Sequence, residues 1–538
     1  MTTQNAPKAG DFTLSTEIFL ATYQSELGTN DPLRIDIRES VQEIQIFEGI
    51  NYNTLSGTLV MVDAGGLLDR LPITGNEILE FTLHTPGFTL EDESPRGYNF
   101  KTFPMWVNKI RNISNPNQNA RVYALDFYSK ERIKDKQRKL CRAFEGPIHE
   151  TVQIILRNFL KTQKDLLFET TTPVVKYVIP KKSPLDTIKF LGKESISEKF
   201  ENSGFFFWET SDGFNFKSLE AMISNSAGKS KEPVIEYSNS PKVDSGQLYD
   251  TKDGVKGNMT KVFEFNILKR FDTLSNIKQG TYASRLVTYN AFTKQFKNVD
   301  FSYPHEYTKS NHMGQEEFPD SPYTSIMPVY NYEEGKLLSD FPEADYMFTS
   351  SAQGMHDKKI TNTVPTAKDP IFGLPLGTIN ADGTLTNPDG TIAGSTTSTI
   401  KAVETADIEN TLQKSKAQRN AFNSFVIELV VPGNTAVTAG SVIKFKTLSG
   451  NIPEGKNDLL IDPFLSGNYL VTEVRHLAQT TPQGIHTMTL TCAKDSVGTE
   501  YIPNDKEVLN SDMTLAQGYD YNQFTIDESW MKWSQIIL

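Results

Sequence analysis

Two stretches far apart in this 538-residue chain follow one layout. Val107, Ile110, Arg111 and Ile113 have the spacing of Val471, Val474, Arg475 and Leu477. Each set is followed by a loop and a second strand-like run, Tyr123-Ala124-Leu125-Asp126-Phe127 in one case and Met488-Thr489-Leu490-Thr491-Cys492 in the other. Upstream, Gly75 with Ile78 and Gly440 with Ile443 open comparable strands. Gly75 precedes Val107 by 32 positions, and Gly440 precedes Val471 by 31. Three matches in the same order at near-equal spacing point to a duplicated β-domain. Duplication constrains assembly as well as fold. Three copies of a chain with two similar domains present six similar faces, so one ring can meet a sixfold object on one side and a threefold object on the other.

Between the two β-regions lies an aromatic stretch, Gly204 to Met222. Phe205, Phe206, Phe207 and Trp208 read as a strand, Ser211-Asp212-Gly213 as a tight turn, and Phe214 and Phe216 alternate on the return. Asp-Gly between apolar runs is a hairpin signal, because Gly accepts the positive φ such turns need. Four consecutive aromatics predict a strand buried on both faces, or a core seam between two layers. Two helices lead up to it. Ile148, Val152, Ile155, Leu156 and Phe159 form an apolar stripe. Ser183-Pro184-Leu185-Asp186 then has an N-cap, a first-turn Pro and a first-turn acid. Leu185, Ile188, Leu191, Ile196 and Phe200 are the expected buried face of that second helix.

The remaining boundaries follow from pattern. Alternating runs over Arg34–Arg38, Val41–Phe47, Ser56–Val62, Glu77–Leu83, Met105–Ile113 and Arg121–Tyr128 make residues 1–130 a β-domain, with residues 1–12 disordered. Residues 131–231 are an α+β domain carrying the hairpin. Residues 232–304 and 404–499 form a discontinuous second β-domain. Residues 305–403, rich in Pro, Gly, Ser, Thr and Asn, are an irregular insert with two Asp-Gly turns between Asn380 and Gly394. Residues 500–538 form an acidic tail. The expected class is α+β, mostly β.

The chain has a net charge of −12, which disfavours tight wrapping of nucleic acid. A like-charged wall would instead let DNA pass without sticking. The segment 130–142 runs against this balance with seven basic residues. It is either a partner-facing patch or a solvated connector. No run approaches a membrane span, and no secretory leader pattern opens the sequence. Cys141 and Cys492 make neither a disulfide framework nor a metal site. Chemistry-bearing motifs do not stand out. Gly228-Lys229-Ser230 has Ile223 where a phosphate-binding loop needs its first Gly. Seven scattered His residues give no helical ligand pair. No catalytic residue, cofactor or metal is expected. In the tail, Trp530, Met531, Trp533 and Ile536 are candidate partner-binding residues, because paired indoles are costly to leave wet.

The hairpin GFFFWETSDGFNFKSL, the run Arg270-Phe271-Asp272-Thr273-Leu274, Val430-Val431-Pro432-Gly433 and the stretch Asp462 to Val471 resemble the baseplate hub proteins of contractile-tailed bacteriophages. The likeness covers about residues 30–500; the insert and the acidic tail depart from it. The resemblance implies two tail-tube-like β-barrel or sandwich domains per chain, a homotrimeric pseudo-sixfold ring, and a place in the virion tail after assembly in the host cytoplasm. It implies as partners the tail tube protein and the central spike protein, with tape measure and baseplate wedge proteins as further neighbours. DNA would transit the channel without specific binding, and no stable membrane insertion is expected. The alternatives are a tail-associated glycan or peptidoglycan hydrolase, and a receptor-binding module that uses the insert.

Overall fold

The computed structural model describes residues 10–497, apart from internal segments of which the longest are 23–32, 240–258, 314–324, 326–337, 364–377 and 449–460. Residues 1–9 and 498–538 lie outside it, so the expected disorder of 1–12 falls mostly beyond the described residues, and the tail wholly so. The described chain is α+β and mostly β.

The first β-unit contains β1 (Val41–Gly49), β2 (Ser56–Asp63), β3 (Ile78–Glu80), β4 (Met105–Asn117) and β5 (Ala120–Ser129). The helices α1 (Lys130–Gln137), α2 (Ile148–Ile154) and α3 (Pro184–Glu194) follow, then the hairpin β6 (Phe205–Thr210) and β7 (Gly213–Ser218). Next come β8 (Glu264–Arg270) and a separate three-stranded sheet of β9 (Ala283–Asn290), β10 (Gln295–Ser302) and β11 (Tyr346–Ser351). Helix α4 (Ile408–Phe422) leads into β12 (Phe425–Pro432), β13 (Val442–Thr447), β14 (Gly467–Gln479) and β15 (Ile485–Ala493).

Over five strands each, the two units repeat one another. In the first, β1 pairs β2, β2 pairs β5, β5 pairs β4 and β4 pairs β3. In the second, β8 pairs β12, β12 pairs β15, β15 pairs β14 and β14 pairs β13. The register repeats as well. Val107 lies opposite Phe127, Lys109 opposite Asp126, Ile110 opposite Leu125 and Arg111 opposite Ala124. Val471 lies opposite Cys492, Glu473 opposite Thr491, Val474 opposite Leu490 and Arg475 opposite Thr489. Both ladders carry a bulge at the same step, at Asn108 and at Thr472. A bulge adds one unpaired residue and bends its strand, so a shared position means a shared curvature. Gly75 and Gly440 both adopt positive φ, 95° and 85°, at the turns into β3 and β13. The 32-against-31 spacing has a local cause: Val107 N–H donates to Glu77, two residues past Gly75, whereas Val471 N–H donates to Ser441, one past Gly440.

The correspondence ends at Arg111. Asn112 turns to φ 55° and adds a residue to β4, so Ser114, opposite Val122, takes the place that Leu477 holds opposite Thr487. The expected match of Ile113 with Leu477 is therefore displaced by one position. The division at residue 304 also runs through a folded element, since β11, inside the stretch read as an insert, pairs in parallel with β9. Further on, Lys359–Thr363 pairs Ser395–Thr399, and Thr378–Ile379 pairs Leu385–Thr386, both antiparallel.

Each module has its own core. Ile44, Ile46, Leu59, Phe81 and Phe127 are buried in the first unit, and Ile427, Leu429, Val474, Met488 and Leu490 in the second. The α+β module packs Ile148, Val152, Leu156, Ile188 and Leu191 against Phe205, Phe207, Phe214 and Phe216 of the hairpin. Ser183 caps α3 as its sequence predicts, its Oγ accepting from Asp186 N–H. The helix stops at Glu194, because Ser195 leaves the helical region and turns its hydroxyl back onto Leu191 C=O, 2.8 Å away. Ile196 and Phe200 thus lie beyond α3 rather than on its buried face; Ile196 pairs Thr172 in a short ladder.

Candidate functional site

Among the described residues one β-ladder joins the two units. Seven residues of β14, Glu473–Gln479, run antiparallel to Gly49–Glu43 of β1, which joins both units into one continuous sheet. The fourth strand of the second unit thereby grips the first strand of the first. Arg475 sits opposite Phe47, its guanidinium 5.9 Å from the ring centroid, and donates to Gln45 Oε1 at 3.0 Å. One residue past β1, Ile50 N–H donates to the C=O of the bulged Thr472, and the Ile50 side chain enters the core of the second unit.

The aromatic hairpin locks this junction from a third direction. Trp208 leaves its own module and is buried in the core of the second unit, where Nε1–H donates to Ala439 C=O at 3.0 Å. A Cβ on Gly440 would lie 2.5 Å from the Trp208 ring, so the turn into β13 and the indole share one close approach. The predicted seam between two layers is this division of the hairpin. Glu48, fully buried, ties the three modules together. Its carboxylate accepts from Tyr98 Oη–H at 2.6 Å, from Ser211 N–H at the hairpin turn at 3.1 Å, and from Ala439 N–H at 3.1 Å. Burial raises its pKa to about 7 against these three donors. A second carboxylate of the hairpin, Glu209, accepts from Leu55 N–H and meets Lys164, which also pairs with Glu131 of α1. Burial opposes the charge of Lys164, but the two carboxylates outweigh it and hold its pKa above the usual lysine range.

Beside the ladder, His476 of β14 and His486 of β15 stand ring to ring, Nδ1 to Nε2, at 3.0 Å. Burial lowers both pKa values, that of His486 to about 4, so the pair is neutral near pH 7. Sequence reading passed over Glu48 and these histidines, although a signal was present. In β1 the core face runs Ile44, Ile46, Glu48, and in β14 it runs Val474, His476, Ala478, so strand alternation alone puts a titratable group inside.

The basic segment is largely solvated, with Lys130, Arg132, Lys136, Arg138, Lys139 and Arg142 exposed. It is helix α1 with a short extension, in which Lys134 donates to Leu160 C=O and Arg138 to Phe159 C=O, at 2.6 and 2.7 Å. Cations there satisfy the last carbonyls of the helical segment that continues α2. Trp530, Met531, Trp533 and Ile536 lie outside the described residues. Among the described residues no three His, Cys, Asp or Glu side chains gather as a metal site, and no helix is long and apolar enough to cross a membrane.

No protein-family model matches the sequence, and no curated protein does. Among solved structures the chain is similar to a tail protein from Neisseria meningitidis, at 8% identity over 90% of this chain and 97% of that one, with a TM-score of 0.44. It is also similar to the 43 kDa tail protein of prophage MuSo2 from Shewanella oneidensis, at 10% identity over 89% and 98%, with a TM-score of 0.41. A component of the Escherichia coli type VI secretion system matches at 8% identity over 92% and 79%, with a TM-score of 0.36.

Proposed function

We propose that this chain is the structural hub of a phage tail baseplate. Three copies form a pseudo-sixfold ring that joins the hexameric tail tube to the trimeric central spike, and DNA leaves through its channel. The repeated β-unit carries this reading. Two units with the same strand order, the same register and the same bulge step are two near-equivalent building blocks, so a threefold object can offer six similar faces to a tube. Residues from three modules are spent on fixing how those units sit together, with Glu48, Trp208 and the β1–β14 ladder all at that joint. A net charge of −12 suits a wall past which DNA slides.

The test is the mass of the purified full chain, alone and with tube and spike proteins added. A trimer that binds both is the expected result. A chain that stays monomeric with either partner present refutes the reading, and a clear band on a cell-wall zymogram would replace it with a hydrolase.

A further inference from the structure

The internal joint pairs the fourth strand of one unit with the first strand of the other, and this leaves over the fourth-strand edge of the first unit and the first-strand edge of the second. The fourth strand of the first unit, β4, pairs β3 only through Met105 and Trp106. Beyond them, its edge from Asn108 to Pro116 has no strand partner among the described residues, and most of it is exposed. The first strand of the second unit, β8, pairs β12 on one side and has no strand partner on the other among the described residues. Unpaired edges invite strand addition. These two also carry apolar side chains that water does not favour: Ile113 on β4 is 60% exposed, and Leu268 on β8 and Phe271 just past it are 55% and 59% exposed.

Resting on the trimeric reading above, we propose that β4 of one chain pairs antiparallel with β8 of the next, repeating between chains the ladder that joins β14 to β1 within a chain. The occupant of each edge is thus a second copy of this chain. The repeat sets the register. Ser56 and Val426 hold equivalent places opposite Tyr128 and Ala493, so Lys269, opposite Val426, stands where Phe47 stands opposite Ser56. By the same count Asn266 replaces Gln45, Arg270 replaces Glu48 and Phe271 replaces Gly49. Lys109, Ile110 and Arg111 replace Glu473, Val474 and Arg475. The copied ladder therefore sets Lys109 opposite Phe271, Ile110 opposite Arg270 and Arg111 opposite Lys269. Asn266 keeps an amide oxygen where Gln45 offers one to Arg475. The facing Arg111 and Lys269 are alike in charge, which Asp126, 2.9 Å from Arg111, offsets in part. Isolated chains are thereby kept from premature edge pairing, and added salt favours the joint.

The interface is heterologous, one edge gripping the other, so it closes into a ring only if three chains complete the circle. The experiment uses the full chain with Cys141→Ser, since Cys141 is exposed and Cys492 buried. Lys109→Cys with Phe271→Cys is treated with a short bismaleimide, and Lys109→Cys with Glu264→Cys is the off-register control. Covalent dimers and trimers from the first pair, and far fewer from the second, are expected. Phe271→Glu should raise the concentration at which trimers form by about tenfold or more, with unchanged circular dichroism. Trimers that form without cross-linking in the registered pair overturn this interface and leave the hub reading standing. A chain that is monomeric before any substitution overturns both.

Discussion

Replacing Glu48 by Gln should remove a pH dependence of stability that the wild-type protein owes to this one group. The unfolded chain releases the Glu48 proton near 4.5, while the folded chain holds it to about 7 because burial disfavours the carboxylate. The folded pKa is raised, so the sign is fixed: below pH 4.5 both states are protonated and the group is neutral to stability. Between 4.5 and 7 the unfolded state ionises first, and the fold loses stability as pH rises. Above 7 the loss is constant. A displacement from 4.5 to about 7, at about 1.4 kcal/mol per pH unit, amounts to about 3 kcal/mol. Gln keeps the shape but does not titrate, and its amide N–H₂ faces donors from Tyr98, Ser211 and Ala439, which costs about 1–3 kcal/mol at any pH. The variant should therefore be less stable than wild type at pH 5 and close to it, or more stable, at pH 8. Urea unfolding of both proteins at the two pH values, followed at the transition that exposes Trp208, gives the double difference. The other titrating groups are common to both and cancel. A wild-type-minus-variant difference that changes by less than about 1 kcal/mol across the window would show that Glu48 is ionised in the fold, with its three donors outweighing its burial.

Two more predictions concern the same joint. Gly440→Ala puts a Cβ 2.5 Å from the Trp208 ring at a residue with φ 85°, so strain and overpacking together should cost about 2–4 kcal/mol. Trp208 fluorescence should shift red as the indole is pushed from its site, and an unshifted spectrum at wild-type stability would count against the close approach. His476 and His486 have lowered pKa values, so the folded state binds fewer protons than the unfolded. Their contribution is complete above about 6.5 and is lost as pH falls toward 4. His486→Phe should cost about 1–3 kcal/mol at pH 8, because the His476 Nδ1 loses its partner, and its deficit should shrink as the pH is lowered to 4.5. A deficit that stays constant with pH would refute the neutral pair.

How much of this was legible follows from what each signal depends on. The hairpin was readable because every part of it is local: aromatics, an Asp-Gly turn, and the return strand lie within a few residues. The duplication is readable because strands that pair in the same register, with a bulge at the same step, impose the same spacing on their side chains, and Val107, Ile110 and Arg111 keep it. It failed at Ile113, where a single left-handed Asn112 inserts a residue that no hydrophobic pattern announces. The end of α3 is hidden from the sequence pattern for a related reason. Ile196 and Phe200 continue a helical spacing, but Ser195 settles the boundary by bonding its hydroxyl to Leu191 C=O.

What composition and spacing could not show is where the modules touch, since Glu48 meets Ser211 and Ala439 only through tertiary folding. Even so, the alternation that buries Ile44 and Ile46 also buries Glu48. A carboxylate at such a position is expensive unless donors converge on it, and donors from separate parts of the chain can converge only at a junction. A charged residue on the core face of an otherwise regular strand is therefore evidence for an interface between modules, and in this chain β1 is where the two halves of the repeat are joined.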